Sequence, residues 1–194
     1  MPVAPLATGP FAVALGLTCV AWLILEMRQG LTRRSEAVTA DRGSLNVLRG
    51  AYVVAALVAV TAERTLPAAA IQPRSLGGWL GLIFLWAGIA LRLWSFRTLG
   101  RYFTFTVQTS SDQPVITDGP YRLVRHPGYT GLMLAMIGVG FFFGNWVSVI
   151  CLGLGVIAGL AYRIRVEERA LLQTLGDRYG DYAATRKRLV PLVW

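Results

Sequence analysis

The stretch Gly119-Pro-Tyr-Arg-Leu-Val-Arg-His-Pro-Gly-Tyr-Thr-Gly131 holds the only histidine of the chain, between a polar connection and an apolar run. Gly119-Pro120 is a turn signal, whereas Pro127 suits the first position of a helix, where its missing N–H costs nothing. A residue before proline is pushed out of the α region, which puts His126 at the helix cap. An imidazole, Tyr121, Tyr129 and a helix N-terminus with free N–H groups then meet at one spot. Such a spot suits an anion, in particular the carboxylate of a small polar ligand. A plainer reading stays open beside it, in which the turn and the histidine cap only start a membrane helix.

A second group lies about forty residues on. Arg163 and Glu167 are four apart and share a helix face, with Glu168 adjacent. On a solvated helix this would be an ordinary ion pair of a few tenths of a kcal/mol. Here it directly follows an apolar run, where ionisable side chains commonly mark a ligand site. The runs Pro127 to Phe143 and Trp146 to Tyr162 are separated only by Gly144-Asn145. They must form a tight antiparallel hairpin, which brings His126 and Tyr129 close to Arg163 and Glu167.

The elements that position these groups are membrane spans. Hydrophobic residues make up 55% of the 194 and charged residues only 15%, where a soluble domain has roughly a quarter charged. Five apolar runs fit helices of about the 20 residues needed to cross a bilayer: Phe11 to Leu25, extendable toward Pro5, then Val47 to Ala62, Trp79 to Phe96 and the two runs of the hairpin. Trp79 and Trp94 suit interfacial anchors. The fold class expected is therefore all-α, a polytopic integral membrane protein with five transmembrane helices and a cytoplasmic C-terminal helical segment.

Charge orients the chain. The formal net charge is +9, yet sixteen of the nineteen basic residues fall in Arg28 to Arg49 (with Arg33, Arg34 and Arg42), Arg97 to Arg125 and Arg163 to Arg188. That distribution argues against nucleic acid and for the positive-inside rule, with the N-terminus outside, the C-terminus cytoplasmic and a basic face toward anionic lipids. Arg92, the one charge well inside a span, lies near a cytoplasmic end from which it can snorkel. No charged n-region precedes the first run, so it is expected to stay in the mature protein. Cys19 and Cys151 read as small buried hydrophobes, with no disulfide and no metal site. Gly140 and Gly144, and Gly155 and Gly159, have the spacing of close helix approach. The connection Arg97 to His126 is long for so compact a chain, which points to function. Its Tyr102 to Gln108 part alternates as an extended segment would, and Gly176 suits the end of the last long helix.

Arg125-His-Pro-Gly-Tyr129, preceded by Gly119-Pro-Tyr121 and followed by Glu167-Glu-Arg-Ala-Leu-Leu172 and Gly176-Asp-Arg-Tyr-Gly-Asp-Tyr182, resembles the isoprenylcysteine carboxyl methyltransferase family. The related membrane phospholipid N-methyltransferases share that C-terminal core. The resemblance runs from about Gln108 to Pro191. It implies S-adenosyl-L-methionine as methyl donor, held by Gln108 (matched across a small gap), Gln113, Pro114, Val115, Ile116, Tyr121, His126, Pro127, Gly128, Tyr129 and Glu167. Where this chain has Gln113 the family often has a basic residue or histidine. Arg163 matches the family arginine that engages the acceptor's carboxylate. The division implied is a three-span region, 1–97, and a cofactor-binding methyltransferase core, 98–194, that includes the C-terminal helical segment and is like that of the shorter prokaryotic members in their plasma membrane.

The function expected is methyl transfer to a lipophilic acceptor, foremost the carboxylate of an isoprenylcysteine-like molecule, a small molecule or a prenylated chain, reached from among the membrane lipids. A carboxylate is already ionised at neutral pH and needs no general base. An amine, phenol or thiol acceptor would need one, with His126, Tyr121 and Glu168 the nearby groups. Phospholipid or lipid-like amine, phenol and thiol acceptors remain alternatives, as does a non-enzymatic transporter or assembly subunit. Oligomeric state is left open.

Overall fold

The computed structural model describes residues 10–30, 38–110, 112–191 and 194. Arg33, Arg34 and the extension toward Pro5 lie outside them. The described residues form six helices: α1 (Pro10–Gly30), α2 (Ser44–Thr65), α3 (Arg74–Leu99), α4 (Pro127–Phe142), α5 (Trp146–Leu175) and α6 (Asp177–Thr185). A two-residue antiparallel pair, β1 (Val38–Thr39) with β2 (Gln108–Thr109), is the one sheet among them. The alternation of Tyr102 to Gln108 yields a strand only at that end, because β1 offers just two residues to pair with. Four helices, α1, α2, α3 and α5, are long and apolar enough to cross a membrane, and α4 is a shorter apolar helix.

Length differences create the site. With 16 residues, α4 spans about 24 Å, whereas the 26 residues of α3 and the 30 of α5 span about 39 and 45 Å. The ends near Gly144 are level because they are tied. Asn145 caps α5 through Oδ1, which accepts from Val147 N at 2.9 Å. Its Nδ2 donates to Leu66 O at 2.9 Å, while Ile71 N donates to Gly144 O at 2.8 Å. The excess of α3 and α5 therefore projects past the start of α4 at the other end, and the polar connection fills the space between the two overhangs. Gly144, at φ +61, makes the tight turn of the predicted hairpin.

Packing uses small residues. A Cβ added at Gly131 would meet Gly88 O at 2.6 Å, and one at Gly155 would meet the Ala55 Cβ at 2.6 Å. Gly159 packs on Leu48 and Ala51, and Gly140 on Val149. The closest seam, α3 on α4 through Gly81, Gly88, Gly131 and Gly138, was not among the predicted glycine pairs. Leu48, Leu132, Val156, Leu160, Ile164 and Leu189 form the largest buried cluster, joining α2, α4, α5 and the segment after α6. Cys19 and Cys151 are half-buried rather than buried.

Arg92 departs from expectation. It is 6% exposed and does not snorkel. Its Nε and Nη2 donate to the two carboxylate oxygens of Glu26 on α1, and Nη1 donates to Gly128 O at 2.9 Å. A charge within an apolar bundle is stable when paired and hydrogen-bonded in this way.

Candidate active site

Between the overhangs lies a cavity of about 1130 Å³, its open mouth included. Its lining is mostly apolar and aromatic with a few converging polar groups, the character of a small-molecule site. Of the residues singled out by resemblance, Gln108, Gln113, Pro114, Val115, Ile116, Tyr121, His126, Gly128, Tyr129, Arg163 and Glu167 line it. Pro127 does not. It is fully buried and starts α4, with His126 as N-cap at φ −125. Gly176 ends α5 at φ +56.

The α4 N-terminus offers fewer free donors than expected. Pro127 has no N–H, and those of Tyr129 and Thr130 already donate to His126 O at 2.9 and 3.1 Å. Among the described residues this leaves the N–H of Gly128. Polar capacity comes instead from side chains. Gln113 Oε1 and Tyr179 Oη are buried in the wall without a partner among the described residues. Burial first, then the Glu167 carboxylate, pushes the Tyr121 phenol well above its ordinary value. Burial pushes Tyr179 up too, with Glu168 next, and takes Tyr182 to about 12. These phenols keep their protons at physiological pH and serve as hydrogen-bond donors, not bases.

Two networks fix the charged groups. In the first, Arg163 Nε donates to Tyr129 Oη at 2.8 Å, and Tyr129 Oη donates to Glu167 Oε2 at 2.6 Å. The expected Arg163 to Glu167 pairing is thus relayed through the phenol. Arg163 Nη1 donates to Asp41 Oδ1 at 2.9 Å and to Ser44 Oγ at 3.0 Å, and Nη2 donates to the carbonyl of Phe105. At least four of its five N–H groups are therefore taken. Asp41 also accepts from the N–H groups of Leu45 and Val107, both at 3.3 Å. Burial alone would raise its pKa, but those N–H groups, Ser44 and Arg163 together hold it below the usual carboxylate range.

The second network centres on Glu168. Its Oε1 lies 3.2 Å from His126 Nε2 and 3.0 Å from Arg125 Nη2, and its Oε2 accepts from Arg188 Nε at 2.9 Å. A carboxylate held by two guanidiniums is an acceptor, so the imidazole donates from Nε2 and presents Nδ1 toward Glu167 at 4.0 Å. The His126 and Tyr129 rings stack at 5.5 Å. Toward α3 the wall turns apolar, where Phe96, Phe103 and Phe105 pack together, the first two at 3.9 Å between ring centres. Sequence reasoning missed Asp41, Ser44, Glu26 and Arg188, each far in the chain from its partner. The one signal was Asp41 itself, with Glu36 one of two acids in a basic segment.

Residues 79–173 match the sequence model of a known family. That model is of the isoprenylcysteine carboxyl methyltransferase family, to which the chain is similar over just under half of its length. The match begins in α3, earlier than the motifs from Gln108 onward suggested. Protein-S-isoprenylcysteine O-methyltransferase A of Arabidopsis thaliana is 34% identical over 115 residues, 58% of each chain. The protein-S-isoprenylcysteine O-methyltransferase of Schizosaccharomyces pombe is 32% identical over 112 residues, 57% of this chain and 48% of that one. This chain thus spans only about half the length of the curated relatives it matches. A solved structure of the eukaryotic intramembrane Ras methyltransferase, isoprenylcysteine carboxyl methyltransferase, aligns with a TM-score of 0.59 at 27% identity, covering 75% of this chain and 52% of that one. The fold is thus that of a multi-pass membrane protein.

Proposed function

We propose that this chain is an integral-membrane methyltransferase that uses S-adenosyl-L-methionine to methylate the carboxylate of a lipophilic, isoprenylcysteine-like acceptor. The observation that carries the reading is one cavity with a polar end at Gln113, His126, Glu167 and Tyr179, an aromatic wall at Phe96, Phe103 and Phe105, and Arg163 lining the same space. The two unpartnered polar atoms, Gln113 Oε1 and Tyr179 Oη, suit a ligand rich in ammonium, carboxylate and hydroxyl groups. Glu167 would hold an amine or ribose hydroxyl, His126 Nδ1 would accept from the ligand's ammonium or hydroxyl, and the Gly128 N–H would face its carboxylate. When bound, the donor supplies an electrophilic methyl on a sulfonium. The protein's part is alignment and exclusion of water, which dominate in-line displacement. Tyr129 holds Arg163 and Glu167 in fixed relation, so acceptor and donor subsites share one rigid element.

Arg163 orients the acceptor without protonating it, since a guanidinium stays charged and a carboxylate needs no base. Neutral phenols around the cavity fit that requirement. A second reading, an amine acceptor, draws on the engagement of Arg163 by Asp41, Ser44 and Phe105, which leaves it little to offer a ligand. In both, the N-terminus lies outside and the cavity opens to the cytosol. Incubating the purified protein with methyl-labelled donor and either a prenylated N-acylcysteine or a phosphatidylethanolamine tests them. The carboxylate reading predicts base-labile label on the cysteine derivative only, lost with Arg163→Ala. Base-stable label on the lipid, retained with Arg163→Ala, would assign the amine.

A further inference from the structure

A second concavity lies outside the cavity described above. It encloses about 530 Å³, its opening included, and is lined by Arg125, Arg186, Lys187, Arg188 and Trp194 together with the end of α6. Four cations face one space, and Glu168, the acid that two of them pair with, is already shared by Arg125, Arg188 and His126. Arg186 and Lys187 are exposed and form no ion pair among the described residues. Arg125 Nε is buried with no partner among the described residues. Such a surplus of donors and positive charge is a standing demand for an anion with several acceptor oxygens.

The position of the concavity says where that anion comes from. Its floor is an extended segment clamped to the start of α4, in which Arg125 N and His126 N donate to the carbonyls of Lys187 and Arg188 at 2.8 and 3.0 Å. One residue on, Leu189 is 1% exposed in the core cluster with Leu132, Leu160 and Ile164, and its carbonyl accepts from Thr130 Oγ1 at 2.7 Å. The cations thus stand level with the first turn of α4, where the apolar bundle begins. Beside them Leu123 is 62% and Val190 37% exposed, and Arg188 lies over the Trp194 ring at 5.9 Å. Apolar side chains, an indole and a ring of cations at one depth match the headgroup level of a bilayer.

We infer that this concavity is a binding site for the phosphate of an anionic phospholipid headgroup, with Arg186 and Lys187 as its exposed jaws and Arg125 and Arg188 as its inner wall. It is separate from the methyl-transfer reading and stands or falls without it. Arg125 lines both cavities, so an occupied site braces the Glu168 network from behind.

The test measures binding of phosphatidylglycerol, phosphatidylcholine and glycerol 3-phosphate to the full chain in neutral detergent, by melting shift and by native mass spectrometry. Each cation near a lipid phosphate contributes about 5-fold in affinity, so R186Q/K187Q should bind phosphatidylglycerol about 25-fold more weakly. R165Q/R169Q removes equal charge from exposed positions of α5 outside the concavity and should bind within about twofold of the parent. Phosphatidylcholine should give little shift. Equal losses in the two double variants, or equal binding of both lipids, would overturn the site. Glycerol 3-phosphate binding as tightly as phosphatidylglycerol would overturn the membrane as the source of the phosphate. The singles R186Q and K187Q, each about 5-fold weaker, guard against a folding defect in the double.

Discussion

Arg163 joins three segments that are remote in sequence, since Asp41 and Ser44 precede it by about 120 residues and Phe105 by 58. A lysine cannot reproduce that fork. Arg163→Lys should lower turnover of a carboxylate acceptor by at least about 100-fold, comparable to removing one oriented transition-state donor. Its affinity for S-adenosylhomocysteine should change far less, and steady-state kinetics beside a binding titration separate the two. Asp41 gives a pH prediction. Its pKa is lower folded than unfolded, so its contribution to stability is complete above the ordinary carboxylate range and is lost as pH falls through the depressed value. Melting curves should show the parent losing stability below about pH 5 more steeply than Asp41→Asn, which has no carboxylate to protonate. Coincident pH profiles would remove Asp41 from that role. Glu168→Gln should cost about 3 kcal/mol, because it strands Arg125 and Arg188 at a site where the carboxylate is only 9% exposed. Little of this was legible in the sequence. His126, Tyr129, Arg163 and Glu167 stand in local patterns, but the ion pairs of Asp41 and Glu26 are with arginines more than 60 residues away.

The helices set the cavity through one short member among long ones. Five apolar runs could be read directly, because lipid leaves the backbone no option but to satisfy itself within each span. The shortness of α4 departs from that reading, in which Pro127 to Phe143 stands as a full span. What this means could not be read, since the overhang depends on which ends are level, and Asn145 decides that through Leu66. The α3–α4 seam was hidden for a related reason, as a glycine shows that a neighbour can come close without showing which one. Gly88→Ala would drive a methyl into Gly131 O and the N–H of Ala135. It should cost about 1–3 kcal/mol and move the Arg92 and Phe96 wall away from Gly128, weakening ligand binding as well as stability. Gly50→Ala, with nothing within 4 Å, should leave binding unchanged and raise the melting temperature slightly. Equal effects of the two would refute the seam as the determinant.

Among the described residues, the three basic segments, the mouth of the cavity and the second concavity fall on one side, and the Asn145 ties on the other. An inward-facing cavity follows if the positive-inside rule holds for this chain. Lys187→Cys should then react with a membrane-impermeant maleimide only when the cytoplasmic face is open to it. Labelling in intact cells would invert the topology and with it the supply of donor. Methyl transfer in this cavity requires its polar end to be the methyl-donor site. Calorimetric titration of S-adenosylhomocysteine into the purified parent, His126→Ala, Glu167→Gln and R186Q/K187Q tests that most directly. One site per chain is predicted, weakened at least about 10-fold in the first two variants, each of which removes a charged or polar contact, and unchanged in the third. A folded parent that binds nothing, or binding undiminished in His126→Ala and Glu167→Gln, would contradict it.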